Sequence, residues 1–138
     1  MLPEKIELEV VTPQRLVLHE DVDSVELPGA DGYIGVLPGH APLLTELGIG
    51  ILTYHVNGRA HLLTVMDGYS EVLPDRVIVL AEVSERAAEI DVQRSESALR
   101  HAQEQVAKTS GADADWQRAQ AALQRATVRI QVASKAGS

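Results

Sequence analysis

The chain contains no cysteine, no phenylalanine and a single tryptophan. Without cysteine there is no disulfide, no thiolate nucleophile and no Cys-ligated zinc, which fits a reducing compartment. Aromatic residues make up only 3%, so base-stacking surfaces are nearly excluded. Cations are scarce as well. Twelve Lys and Arg stand against 20 Asp and Glu, leaving a net charge of -8 with no Lys/Arg run, a balance that repels phosphate backbones. No apolar run approaches the roughly 18 residues that a membrane-spanning helix needs. Work at a membrane would therefore depend on another protein to hold the chain there. The opening MLPEKIELEVV carries Glu4, Lys5, Glu7 and Glu9, and reads neither as a secretory apolar segment nor as an Arg/Ser-rich transit peptide.

What is present falls into two halves with different composition. At 138 residues, one compact domain or a small domain with an appendage is expected. All six prolines and eight of the ten glycines lie before residue 84. That half is rich in Val, Ile, Leu and Thr and reads as short strands. Ile6, Leu8 and Val10 alternate with Glu7 and Glu9, Leu16 and Leu18 continue the pattern after Pro13, and Val25 and Leu27 precede Pro28-Gly29. Residues 49–56 and 60–66 flank Asn57-Gly58, which accepts the positive φ of a tight hairpin turn. Residues 76–81 form a last apolar strand. Short strands with no helix between them predict an antiparallel β-sandwich or barrel over residues 1–83.

The second half lacks proline and is dominated by Ala, Gln, Glu and Arg, which are helix formers. After a linker at 84–90, residues 91–138 read as an antiparallel two-helix hairpin. One helix spans 91–108 with Asp91 as its cap, a stop follows at Thr109-Ser110-Gly111, and a second helix spans 113–133. Val92, Ser95, Leu99, Ala102 and Val106 mark a seam on the first, and Trp116, Ala119, Leu123, Ala126, Ile130 and Ala133 one on the second. The seam is thin, because Ser95, Ala102, Ala119, Ala126 and Ala133 each forgo on the order of 2 kcal/mol of burial relative to leucine. Helices this short are marginal alone, so the hairpin depends on docking to the β-module or to a partner.

Catalytic chemistry is hard to find. His55 and His61 bracket the Asn57-Gly58 turn, but a two-residue turn sets His55 opposite Ala60 and His61 opposite Tyr54, on opposite faces of the sheet. There is no G-x-S-x-G or S-x-x-K motif, and Gly29, Gly32, Gly35 and Gly39 are not followed by Gly-Lys-Ser/Thr. No catalytic residue and no metal site is expected, and the chain is not expected to be an enzyme by itself. One polar constellation stands out. Arg118, Arg125 and Arg129 share a face of the second helix, and Arg94 lies beside Asp91 early in the first, with Glu85 upstream. Guanidinium forks suit phosphate oxygens; a solvated face of intrahelical ion pairs is the simpler alternative.

The stretch at 27–52, LPGADGYIGVLPGHAPLLTELGIGIL, resembles the epsilon subunit family of the F-type proton-translocating ATP synthase. The likeness continues through Asp67-Gly68-Tyr69, Glu71-Val72 and the V-x-V-L-A-E run at 77–82, and covers essentially the whole chain. Asp67 departs from it, where many relatives show a second glycine. The resemblance implies a non-catalytic central-stalk subunit coupling proton flow to ATP synthesis. Its β-sandwich would bind the gamma subunit and rest on the c-ring, through a loop at 30–42 that includes Tyr33, His40 and Pro42. It also implies a helical hairpin that reaches the alpha/beta catalytic head and restrains ATP hydrolysis. The location implied is peripheral, at the cytoplasmic face of a bacterial plasma membrane.

Some bacterial members of that family hold a regulatory ATP, with Mg2+, through an I/L-D-x-x-R-A motif. By that resemblance the candidate ATP-binding residues are Glu85, Asp91, Arg94, Ser95, Arg125 and Arg129, with Ser95 replacing the motif's Ala and His101 standing where strong binders carry Arg. No cofactor is required otherwise. A competing reading is a stand-alone ATP-sensing β-module with a helical switch; another, a metal-dependent β-barrel enzyme, lacks converging ligands at His55 and His61.

Overall fold

The computed structural model describes residues 2–109 and 114–135. Seven strands come first: β1 Ile6–Val11, β2 Leu16–Val22, β3 Ser24–Gly29, β4 Gly32–Val36, β5 Leu43–Val56, β6 Arg59–Leu73 and β7 Arg76–Arg86. A single 3-10 turn, Ala87–Glu89, leads into α1 (Val92–Lys108), and α2 spans Ala114–Lys135. The strands form one sheet in the order β2-β1-β7-β6-β5-β3-β4. All pairs are antiparallel except β1 with β7, which is parallel and brings the two ends of the β-module side by side.

Local sequence explains most of these elements. In β1, Ile6, Leu8 and Val10 are fully buried while Glu7 and Glu9 stay at the surface. The chain does not run straight on past Pro13: backbone hydrogen bonds between Thr12 and Arg15 close a turn, and β2 returns antiparallel. An irregularity at Val10/Val11 shifts the parity there, so Val17 and Leu18 are buried and Leu16 is exposed. Asn57 and Gly58 take φ of 52° and 80°, closing the β5–β6 hairpin in the register that places His55 opposite Ala60 and His61 opposite Tyr54.

The sandwich arises from a bend that crosses three strands at one level. Leu47, Gly68 and Ala81 pair across β5, β6 and β7, as do Ile49, Met66 and Val83, while Gly48, Asp67 and Glu82 between them have no partner. Skipping one residue reverses which parity faces inward. Thus Leu47 gives way to Leu52 and Tyr54 on β5, Val65 to Ser70 and Val72 on β6, and Ala81 to Ser84 on β7. The long strands thereby serve both layers, and Leu52, Leu63, Val65, Val72, Val77 and Val79 join one core. At the bend Asp67 takes φ 60° and Gly68 φ 122°. Aspartate tolerates the left-handed region that this φ requires.

The helices pack as an antiparallel pair, and α2 is the one that lies against β5 and β6. Asp91 caps α1, its Oδ1 accepting the Arg94 N–H at 3.1 Å. Ser95, Ala102, Ala119 and Ala126 are buried as the seam requires, but Val92 in the first turn of α1 is 43% exposed. A second stripe on α2, Val128 and Val132, is buried and faces the sheet. Residues 84–86 belong to β7, with Ser84 buried opposite Val65, and the turn at 87–89 follows directly. Residues 110–113, including Asp113 and the stop at Gly111, lie outside the described residues. Among the described residues no helix is long and apolar enough to cross a membrane.

Candidate functional site

Where β7 ends and α1 begins, the chain makes a corner that α2 closes from one side. The cleft there has a volume of about 370 Å³ and is lined by Glu85, Asp91, Arg94, Ser95 and Arg129, with Ala98 and Ala126 as its floor. Five of the six candidate nucleotide-binding residues therefore converge, although 44 residues separate Glu85 from Arg129. Arg125 does not line the cleft; it sits one turn before Arg129, half-buried. Arg118 is further removed, highly exposed and ion-paired with Asp115. His101 is exposed on α1 and outside the cleft.

Most of the converging groups already have partners. The Glu85 carboxylate accepts from Arg129 Nε at 2.9 Å and from the Thr64 hydroxyl at 3.0 Å. That hydroxyl in turn accepts the Glu85 N–H at 2.9 Å. Glu85, Thr64 and Arg129 thus form a three-part latch joining β6, β7 and α2. Asp91 is engaged in capping, and the Ser95 hydroxyl donates to the Asp91 carbonyl at 2.9 Å. Arg94 differs: its guanidinium makes no hydrogen bond or ion pair among the described residues and opens into the cleft. With the free N–H groups at the start of α1, it gives the site a positive end suited to an anion. A cleft of this size lies at the small end of the range of roughly 300–1,000 Å³ for small-molecule sites. The cleft thus offers one unpaired cation, Arg94, and the Glu85–Arg129 pair, beside the carboxylates of Glu89 and Asp91.

Two residues at the site escaped sequence reasoning. Thr64, which does not itself line the cleft, holds Glu85 from the adjoining strand β6, and nothing near it in the sequence signals the role. Glu89 accepts the Arg86 N–H at 2.9 Å and pairs with Arg15 at 2.7 Å, and the Arg15 hydrogen bond holds its carboxyl below the usual range. Its place just before Ile90-Asp91 was the available clue.

The loop candidates lie elsewhere. Tyr33, on edge strand β4, is 56% exposed, and its hydroxyl accepts the Ile51 N–H at 3.0 Å across Gly50. His40 sits in the loop after β4 with its Nδ1 2.7 Å from the Ala41 carbonyl, and Pro42 is exposed. Leu37 and Leu44 nearby are 66% and 72% exposed, an apolar rim on this end of the sandwich.

His19, Glu7 and Glu9 meet on the outer face of β1 and β2, with Arg76 among them, 3.3 Å from Glu9 and 3.7 Å from Glu7. The Glu7 hydrogen bond raises the His19 pKa, and the same bond lowers that of Glu7. The arginine already answers the carboxylates, so the group reads as an ion-pair network.

Family models match both halves: residues 5–87 fit the β-sandwich domain of the ATP synthase delta/epsilon chain, and residues 88–134 its long α-helix domain. The chain belongs to the ATP synthase delta/epsilon family. It is 49% identical over 134 residues to the ATP synthase epsilon chain of Solibacter usitatus, spanning 97% of this chain and 99% of that one. With the epsilon chain of Geobacter sulfurreducens it shares 47% over 135 residues, 98% of each. The fold also matches a chain of the Euglena gracilis mitochondrial ATP synthase, with a TM-score of 0.81 at 22% identity over 97% of this chain and 84% of that one. A chain from the central stalk/c-ring of the Tetrahymena thermophila mitochondrial ATP synthase matches at a TM-score of 0.55 and 14% identity, over all of both chains. As an epsilon-type member of the family, the chain is a structural subunit and not an enzyme by itself.

Proposed function

We propose that this chain is a rotor subunit of a bacterial ATP synthase, peripheral at the cytoplasmic face of the plasma membrane. Its β-sandwich binds the gamma subunit and rests on the c-ring, coupling proton flow to ATP synthesis. Its helical hairpin is a detachable arm that reaches the alpha/beta head and restrains ATP hydrolysis. The exposed rim of Tyr33, Leu37 and Leu44 beside His40 and Pro42 supports the ring-facing role of that end. The observation that carries the arm is how little holds it. The β-module has its own core, to which no helical residue belongs, and the Glu85–Arg129 pair is the one ion pair joining sandwich and helices among the described residues. Added to a bacterial ATP synthase stripped of its own epsilon chain, this chain should bind and restore proton-coupled synthesis; failure to bind a compatible gamma subunit would contradict the reading.

The cleft at Glu85, Asp91, Arg94, Ser95 and Arg129 supports a regulatory ATP, with Mg2+, that favours the docked arm. Arg94 would meet the phosphates, and Glu85 and Arg129 would exchange their mutual contact for contacts to the nucleotide. Because His101 and Arg125 add nothing to the cleft, binding is expected to be weak. Calorimetry should give a saturable heat for ATP, with an affinity that Arg94→Gln reduces at least tenfold, the value of one charge-assisted bond. No heat at millimolar ATP would remove the ligand and leave the arm.

A further inference from the structure

A second and larger cleft lies next to the first, at the last turn of α2, and shares no residue with it. It has a volume of about 870 Å³, bounded by the β5–β6 hairpin, the last residue of β7 and the last turn of α2. Arg59 and His61 of β6, Arg86 of β7 and Lys135 of α2 all line it, and no aspartate or glutamate does. In a chain of net charge -8, without a cationic run in its sequence, the fold alone gathers these four basic side chains. Arg86 is held in place by donating to the Val17 carbonyl at 2.7 Å, and Arg59 has no ion-pair partner among the described residues. Burial, with Glu20, raises the Tyr54 pKa while Arg86 opposes it, and Arg86 also acts on Glu89 outside the cleft. Tyr54 stacks on His61 with ring centroids 5.0 Å apart and planes 18° apart, and because Tyr54 is buried the outer face of the exposed His61 ring is left open.

We infer that this cleft binds a small anion bearing a di- or triphosphate chain. Arginine forks and an ammonium are the donors that such a group needs, and the volume falls within the roughly 300–1,000 Å³ range of small-molecule clefts. The donors come from both the sheet and the end of α2. A bound anion therefore bridges Lys135 to Arg59 and Arg86 and pins the carboxy-terminal end of the arm, six residues beyond Arg129 of the latch. The inference does not rest on the ATP reading of the smaller cleft.

The test is amide NMR of the full chain titrated with inorganic pyrophosphate at low ionic strength, followed by ADP titrated into the Arg94→Gln chain. Saturable shifts at Arg59, His61, Arg86 and Lys135 are expected, unchanged by Arg94→Gln and weakened at least tenfold in an Arg59→Gln/His61→Gln chain. Both replaced side chains are exposed, and the spectrum itself reports whether that variant folds. Equal affinity for pyrophosphate and ADP would assign the site to the phosphate chain, and tighter ADP binding would assign it to a nucleotide stacked on His61. Shifts confined to residues 90–95, undiminished affinity in the double variant, or no saturable shift would overturn the proposal.

Discussion

Replacing Gly68 with alanine is expected to cost about 3–5 kcal/mol, much of the roughly 5–15 kcal/mol that a domain has in hand. A Cβ on Gly68 would stand 2.0 Å from the Leu80 carbonyl oxygen and 2.9 Å from the Ala81 Cα, both backbone atoms of the neighbouring strand. The φ of 122° is itself a conformation that side chains rarely adopt. Relief would require β6 and β7 to part at the bend that divides the sandwich into layers, where Gly68 pairs with Ala81. Denaturant unfolding of the full chain measures the effect, and a loss under about 1 kcal/mol would contradict this reading of the bend. Asp67→Gly is the matching control. It removes a side chain from a residue at φ 60° without touching the ladder, so stability should change little.

The second large effect concerns the latch. In Arg129→Gln the Glu85 carboxylate keeps the Thr64 hydroxyl but loses its counter-ion. Both side chains of the pair are partly shielded, at 30% and 23% exposure, so the interaction outranks an ordinary surface bridge without reaching the cost of a fully buried one. Docking of the arm should weaken by about 1–2 kcal/mol, raising the undocked population roughly 5- to 30-fold. Hydrogen exchange should show faster exchange at Val128 and Val132 while Leu8 and Val79 in the sandwich core keep their protection. Equal loss in both places would mean that arm and sandwich unfold together, and no loss in either would remove the latch.

Much of this architecture was legible in the residues. The Ile6, Leu8, Val10 alternation, the Asn57-Gly58 turn with its pairing of Tyr54 and His61, and the Asp91 cap are short-range features, and the structure places them as the pattern implies. What was not legible depends on contacts between distant segments. The parallel pairing of β1 with β7 joins residues some 69 positions apart, as Leu8 and Val77 show. The bend at Gly48, Asp67 and Glu82 exists only when three strands are aligned, which is why β7 was expected to stop short of Arg86. On α2 the alanine seam concealed the second stripe of Val128 and Val132, and Arg125 was grouped with Arg129 by spacing although only Arg129 reaches the cleft. Thr64 carries no local signal at all, since its role is set by Glu85 on the adjoining strand.

The central claim is that the sandwich attaches and the helices regulate. It is tested most directly by ATP hydrolysis in a catalytic head depleted of its own epsilon chain, with either the full chain or residues 1–86 added. The cut falls at the end of β7, so the sandwich keeps every strand and its whole core. Both forms should bind, and only the full chain should lower hydrolysis. Equal hydrolysis with both bound forms would contradict the account, leaving a coupling subunit whose helices do not restrain the enzyme.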